Sequence, residues 1–225
     1  MMAFASFDDI VGRIEQLAAP SLIGIDGLPC SGKSTLAERL EQHFGIETIY
    51  LDDFVLPDSQ WPRPVSPEFP FPYIRYAEFV RTVQTLASKG DVSFHRFDWA
   101  SMGASKTPRT VRLDKHVIVE GVSALNASLT QLYSLGIFVE SDRCTTIEAA
   151  IARGVGDWAE QWRSLFMPSA DIYMQTDPIG RADMVFAGRG AEGIQRLAEG
   201  VVSGSLGPEH KKQKARTRRW NSSRA

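Results

Sequence analysis

Cysteine is scarce in this 225-residue chain. Its two copies, Cys30 and Cys144, exclude a disulfide framework and fit a reducing compartment. No apolar run approaches the roughly 18 residues that a membrane-spanning helix needs. The first twenty residues, MMAFASFDDIVGRIEQLAAP, carry acids and no basic stretch ahead of an apolar one, so a secretory leader is not expected. The expected location is cytoplasmic, with no membrane partner. Histidine is nearly as sparse. His43, His95, His116 and His210 share no metal-ligand spacing with one another or with the cysteines. Neither G-x-S-x-G nor a zincin motif occurs, which sets aside two common hydrolase chemistries.

Net positive charge is confined to the end of the chain. Residues 209–225, EHKKQKARTRRWNSSRA, hold seven Lys/Arg and one Glu, whereas the other 208 residues hold 18 basic and 26 acidic side chains. An acidic body does not attract nucleic acid by its field, so no nucleic-acid partner is expected. The basic tail reads as a solvated terminus, with contact to an acidic surface as the alternative. A hydrophobic fraction of 43% and a charged fraction of 23% match an ordinary globular protein. The length suits one domain over residues 1–208 with the tail appended. Self-association into a homo-oligomer stays open.

What is present is an alternation of strand-like and helical patterns, which predicts an α/β fold with a mainly parallel five-stranded sheet flanked by helices. Strands are expected at Leu22–Asp26, Thr48–Leu51, Val117–Glu120, Gly136–Glu140 and Met184–Ala187. Helices are expected at Phe7–Ala19, Lys33–His43, Tyr76–Lys89, Thr145–Arg153 and roughly Ala191–Val201, the first opened by a capping box from Ser6 and Asp9. Val92–Phe97 and Thr110–Leu113 read as an extra strand pair. Pro57–Pro72, PDSQWPRPVSPEFPFP, holds six prolines and cannot be helical. It reads as a stiff loop, bordering a substrate pocket, with a ligand for a proline-binding partner as the minor alternative.

The strongest signal is GIDGLPCSGKSTLAERL, Gly24 to Leu40. Gly27-x-x-x-x-Gly32-Lys33-Ser34 fits the phosphate-binding loop G-x-x-x-x-G-K-[ST], between an apolar strand and a helical pattern. Glycines let successive N–H groups converge on an anion at a helix N-terminus. Gly27, Ser31, Gly32, Lys33, Ser34 and Thr35 are the candidate contacts to ATP, with Lys33 reaching the β- and γ-phosphates. Ser34, with Glu120 at the end of VIVE, is the candidate holder of Mg2+. Cys30 needs no chemical role. A phosphate loop alone does not separate a kinase from a switch. YLDDFVLP, Tyr50 to Pro57, supplies an acid where a parallel strand should meet the loop, and a carboxylate there can take a hydroxyl's proton.

GIDGLPCSGKSTLAERL, YLDDFVLP, RFDW and VIVEGVSAL, in this order, resemble the uridine kinase family of P-loop small-molecule kinases. Phosphoribulokinase, bacterial pantothenate kinase and nicotinamide riboside kinase are relatives of that group. The resemblance runs from about Leu22 to Gly188. It implies an ATP- and Mg2+-dependent phosphotransfer to the hydroxyl of a small molecule, nucleoside or sugar-like as a first guess. Asp52 takes the position of the family's base, Phe54 matches its Phe, and Phe97, Asp98 and Trp99 match its acceptor-contacting element. Read without the resemblance, Phe97 and Trp99 are alternate strand positions packing a core, with Asp98 facing water. A lid is implied over about 143–175. Arg153 is the preferred cation for the transferring phosphoryl, Arg143 and Arg163 are the other guanidiniums, and Gly154 and Gly156 are hinges. The rival reading is a nucleotide-dependent switch or regulatory ATPase that acts through a protein partner.

Overall fold

The computed structural model describes residues 4–152 and 158–191. The chain opens with α1 (Phe7–Glu15), capped as expected: the Ser6 hydroxyl accepts from Asp9 N–H while the Asp9 carboxylate accepts from Ser6 N–H. β1 (Leu22–Gly27) runs through the loop into α2 (Lys33–Phe44) and then β2 (Glu47–Tyr50). A 3-10 turn at Leu51–Phe54 leads into the proline-rich segment, which contains one further short 3-10 turn at Asp58–Gln60. After α3 (Tyr76–Lys89) come four short strands, β3 (Asp91–Phe94), β4 (Phe97–Asp98), β5 (Gly103–Ala104) and β6 (Arg109–Arg112). β7 (Val117–Glu120), α4 (Ala127–Thr130) and β8 (Tyr133–Glu140) follow, then α5 (Arg143–Ala152). α6 (Ala159–Gln161), a π-helical turn at Trp162–Phe166 and α7 (Met167–Met174) succeed one another without a break, and β9 (Met184–Ala187) ends the sheet.

The main sheet has the order β2-β7-β1-β8-β9 and every pairing is parallel, as the alternating pattern predicts. Strands buried on both faces explain the near-continuous apolar runs, and every residue of β1 is buried. Alternate residues serve opposite layers. Ile23, Ile25 and Ile118 pack with Ile10 and Ile14 of α1 and Leu36 and Leu40 of α2. Leu22, Val117 and Val119 face Phe79, Val83 and Leu86 of α3. The expected extra strand pair forms as an antiparallel β3–β6 ladder, with β4 and β5 as a separate two-residue pair. α1 stops four residues early and β8 starts three residues early, which are ordinary boundary slips. Most of the helix expected at Ala191–Val201, and the basic tail, lie outside the described residues. No helix among the described residues is long and apolar enough to cross a membrane.

Register carries the sheet into function. Ile25 pairs with Glu120, and Tyr50 pairs with Glu120 from the other side. The phosphate loop, Glu120 and the Leu51–Phe54 turn therefore leave three adjacent strands at one edge, the carboxyl edge where open parallel sheets bind ligands.

Gly24 shows how tightly the central strand is packed. A Cβ there would lie 2.8 Å from the Tyr133 ring and 2.9 Å from the Leu125 side chain. Gly24→Ala is expected to destabilise the fold by about 1–3 kcal/mol through overpacking. Urea unfolding measures this, and an unchanged midpoint would show that these neighbours yield freely.

Candidate active site

The loop is held from below by a buried carboxylate that no sequence motif singles out. Asp26 is fully buried and accepts four hydrogen bonds: from Gly27 N–H (2.6 Å), Ser123 N–H (3.0 Å), Leu125 N–H (2.8 Å) and the Tyr173 hydroxyl (2.5 Å). Burial pushes its pKa up while these donors pull it down. Burial and the adjacent carboxylate both raise the Tyr173 hydroxyl, so it stays a donor. Four donors from three segments thus fix where β1 ends, where the chain turns after Glu120, and where α7 sits.

Above Asp26 the loop bends sharply. Gly27 has φ of 146°, and a Cβ there would collide with the Val139 carbonyl oxygen, so only glycine fits. Gly32 occupies the N-cap of α2 in a left-handed conformation and offers no side-chain oxygen to the first-turn N–H groups. The buried Ser31 hydroxyl has no hydrogen-bond partner among the described residues. Lys33 is buried. Its Nζ donates to the Leu28 carbonyl at 2.8 Å and lies 3.8 Å from Glu120 Oε1. Burial raises the Glu120 carboxyl to about 7; Lys33 pulls it down, Asp52 and Asp26 push it further up, and Ser34 lowers it slightly.

The loop opens onto a cavity of about 490 Å³, within the usual size range of small-molecule sites. Gly32, Lys33, Ser34 and Thr35 line one side, and Asp52, Glu120 and Trp99 line it as well. The structure therefore brings these predicted residues together. Gly27 and Ser31, also in the loop, are not on the wall of this cavity, although Ser31 lines a second, more open cleft of about 320 Å³ with Thr35, Arg39 and Arg189.

Three predicted acceptor contacts fall elsewhere. Phe54 is wholly buried, its ring 5.0 Å from Phe94 and 5.4 Å from Phe79, because apolar burial in the α3 layer claims it. Phe97 is 5% exposed and belongs to the same core. Asp98 spends its carboxylate on Ala100 N–H and the Ser101 hydroxyl, closing the β4–β5 turn. Arg143 is engaged by Asp171 in a two-point ion pair, and the exposed Arg163 is not among the cavity residues. Arg153, Gly154 and Gly156 lie outside the described residues.

Other residues emerge only from the fold. Arg75 ties down the turn that carries Asp52, donating to the Asp53 carbonyl at 2.9 Å and the His95 carbonyl at 2.7 Å. Arg109 pairs with Asp53 (3.6 Å) and Glu47 (3.2 Å). Arg189 lines the cavity and donates to the Cys30 carbonyl at 3.1 Å. Much of the remaining lining is aromatic: Trp61, Tyr73, Trp158, Trp162 and Phe166. The proline-rich segment turns inward here, with the Trp61 indole donating to the Leu56 carbonyl and Phe69 packed 4.8 Å from Tyr173.

Glu120 generates a pH prediction for the nucleotide-free, metal-free protein. Its folded pKa of about 7 stands above the ordinary 4.5, so between those values the folded chain holds a proton that the unfolded chain has released. Stability consequently falls as pH rises through that window, by up to about 3 kcal/mol, and levels off above it. Glu120→Gln removes the titration. The variant should unfold at higher denaturant than wild type at pH 8, with the gap closing by pH 4.5. A variant less stable at pH 8 would overturn this account.

No family model and no curated protein sequence matches the chain. Solved structures do. A possible uridine kinase from Bacillus stearothermophilus superposes with a TM-score of 0.63 at 22% identity, covering 80% of this chain and 96% of that one. A candidate fructose transport system kinase from Silicibacter sp. TM1040 gives 0.57 at 19% identity, covering 82% and 96%. YFH7 from Saccharomyces cerevisiae, a candidate P-loop-containing kinase with a circular permutation, gives 0.53 at 13% identity, covering 82% and 99%. At these identities the likeness speaks for the fold: the chain has the architecture of P-loop kinases and resembles the uridine kinase-like ones.

Proposed function

We propose that the protein is a Mg-ATP-dependent kinase that moves the γ-phosphoryl group onto a hydroxyl of a small molecule. One observation carries the reading: Asp52, from the turn after β2, lines the same cavity as Lys33, Ser34 and Glu120. A nucleotide switch needs the loop, whereas transfer to an alcohol also needs a carboxylate in the same cavity to take the hydroxyl's proton.

The loop residues fit a triphosphate. The uncapped first turn of α2, the orphaned Ser31 hydroxyl and a lysine resting on a carbonyl all present donors in want of a better acceptor. Mg2+ takes one or two protein ligands and completes its shell with phosphate oxygens and water. Ser34 and Glu120 are the residues that would hold it. When bound, the metal neutralises charge on the phosphate oxygens, and ATP supplies the group transferred.

Lys33 exchanges the Leu28 carbonyl for phosphate oxygens. Asp52 aligns the acceptor hydroxyl and takes its proton as the new O–P bond forms and the bond to the bridging oxygen breaks. The aromatic wall keeps water from competing as acceptor. Most of the rate then comes from positioning and fixed charge, because the loose transition state asks little covalent work of the protein.

Asp52→Asn should lower kcat by about 10²-fold or more and leave ATP binding intact. Wild-type turnover by the mutant would remove Asp52 from the chemistry. Lys33→Ala should weaken both nucleotide affinity and turnover. The primary assay is ADP release across nucleosides, sugars, sugar phosphates and pantothenate; ADP formation that no alcohol stimulates would defeat the kinase reading.

A further inference from the structure

Asp52 is carried by a single 3-10 turn, Leu51–Phe54, a geometry whose internal hydrogen bonds are poorer than those of an α-helix. Burial fixes both ends of the turn. Leu51 and Phe54 are buried, whereas Asp52 between them is exposed and lines the cavity. Leu51 rests on the backbone just after Glu120, because a Cβ at Gly121 would collide with the Leu51 Cβ. Apolar packing is non-directional, so it sets where the turn sits and leaves its rotation to directed bonds.

Two carbonyls of the turn go to one residue. Arg75, the N-cap of α3, donates its backbone N–H to the Phe54 carbonyl at 2.7 Å and its Nη2 to the Asp53 carbonyl at 2.9 Å. The same Nη2 donates to the His95 carbonyl at 2.7 Å, and Nη1 donates to the Glu78 carboxylate at 2.7 Å. The guanidinium carbon also lies 5.4 Å from the centre of the Phe54 ring. One side chain thus joins the Asp52 turn to the first turn of α3 and to the link between β3 and β4.

The residue type matters. A guanidinium holds its N–H groups in a rigid planar fork, so it can meet two carbonyls and a carboxylate together; an ammonium on a flexible stem fixes no such angles. Arg109 approaches the same turn, but its 3.6 Å from the Asp53 carboxylate is longer than a hydrogen bond and supplies charge rather than direction. Arg75 is not among the residues lining the cavity, so its route to the chemistry is the turn.

We infer that Arg75 is a positioning residue: its guanidinium fixes the rotation of the Leu51–Phe54 turn and, with it, the bearing of the Asp52 carboxylate toward the phosphate loop. The effect on turnover rests on the kinase reading, whereas the clamp itself is read without activity. Such a clamp matters to rate because a displacement of about 1 Å in a reacting group can cost about 10²-fold.

Two variants test it. Arg75→Lys keeps the charge and loses the fork; Arg75→Gln loses both. Hydrogen–deuterium exchange should run at least about tenfold faster at the amides of residues 51–56 in each variant, with residues 27–35 unchanged. ADP release is then measured with uridine, glucose, ribulose 5-phosphate and pantothenate as acceptors. For an acceptor that the wild type uses, kcat should fall by about 10–100-fold while KM for ATP changes by less than about twofold. In an Asp52→Asn background, adding Arg75→Lys should cost nothing further, because the carboxylate it aims is gone. An arginine with a merely structural role would cost the same factor in both backgrounds. Acceptor-stimulated turnover with unchanged exchange at 51–56, or with costs that multiply in the double variant, would keep the kinase and overturn the clamp. Faster exchange at the turn in a protein that none of the four acceptors stimulates would keep the clamp and sink the kinase reading.

Discussion

A carboxylate with no access to water is tolerated only when its lone pairs are met by donors. Asp26 meets that condition with three backbone N–H groups and one hydroxyl, drawn from the loop's first residue, the turn after Glu120, and α7. Those three places are the start of the phosphate loop, the turn that follows the candidate metal ligand, and the helix that continues from the aromatic stretch at Trp162–Phe166. Removing the charge would leave several donors unpaired at once, so the loop's root, the β7 turn and α7 stand or fall together. The sheet sets the heights of these pieces; the buried acid sets their spacing.

Above that anchor, the site holds its charges in an unsatisfied arrangement. Lys33 rests on a carbonyl and beside a carboxylate whose burial already works against ionisation. Anionic oxygens at the loop would give the lysine a stronger partner. A cation at Ser34 and Glu120 would make the ionised carboxylate favourable. The free protein therefore stores the cost of two poorly matched groups, a common feature of sites built for a charged ligand.

Much of this was readable along the chain. The loop motif, the strand ends and α3 follow from spacing alone, because parallel strands and amphipathic helices write their burial into local sequence. The Ser6–Asp9 capping box is equally local. Contacts made by distant segments were not readable. Asp26 looks like an ordinary strand-end acid until Tyr173, 147 residues away, is seen to donate to it. Trp61 and Trp158 carry no periodic signal, and Arg189 reaches the loop from 159 residues downstream. Phe54 illustrates the opposite case, and Phe97 follows the core-packing reading rather than the one the resemblance implies. A motif position marks where a residue sits in the chain, but a large apolar side chain next to a hydrophobic layer goes into that layer.

The π-helical turn at Trp162–Phe166 leaves a geometric mark on the wall. Such a turn accommodates one residue more than regular α-helix over the same rise. With α7 pinned at Tyr173, that surplus rotates everything upstream by about 100°, the angle one residue subtends about a helix axis. Trp158 and Trp162 thus owe their inward bearing to a single extra peptide unit, and a chain one residue shorter at this point would carry the same indoles pointing in another direction.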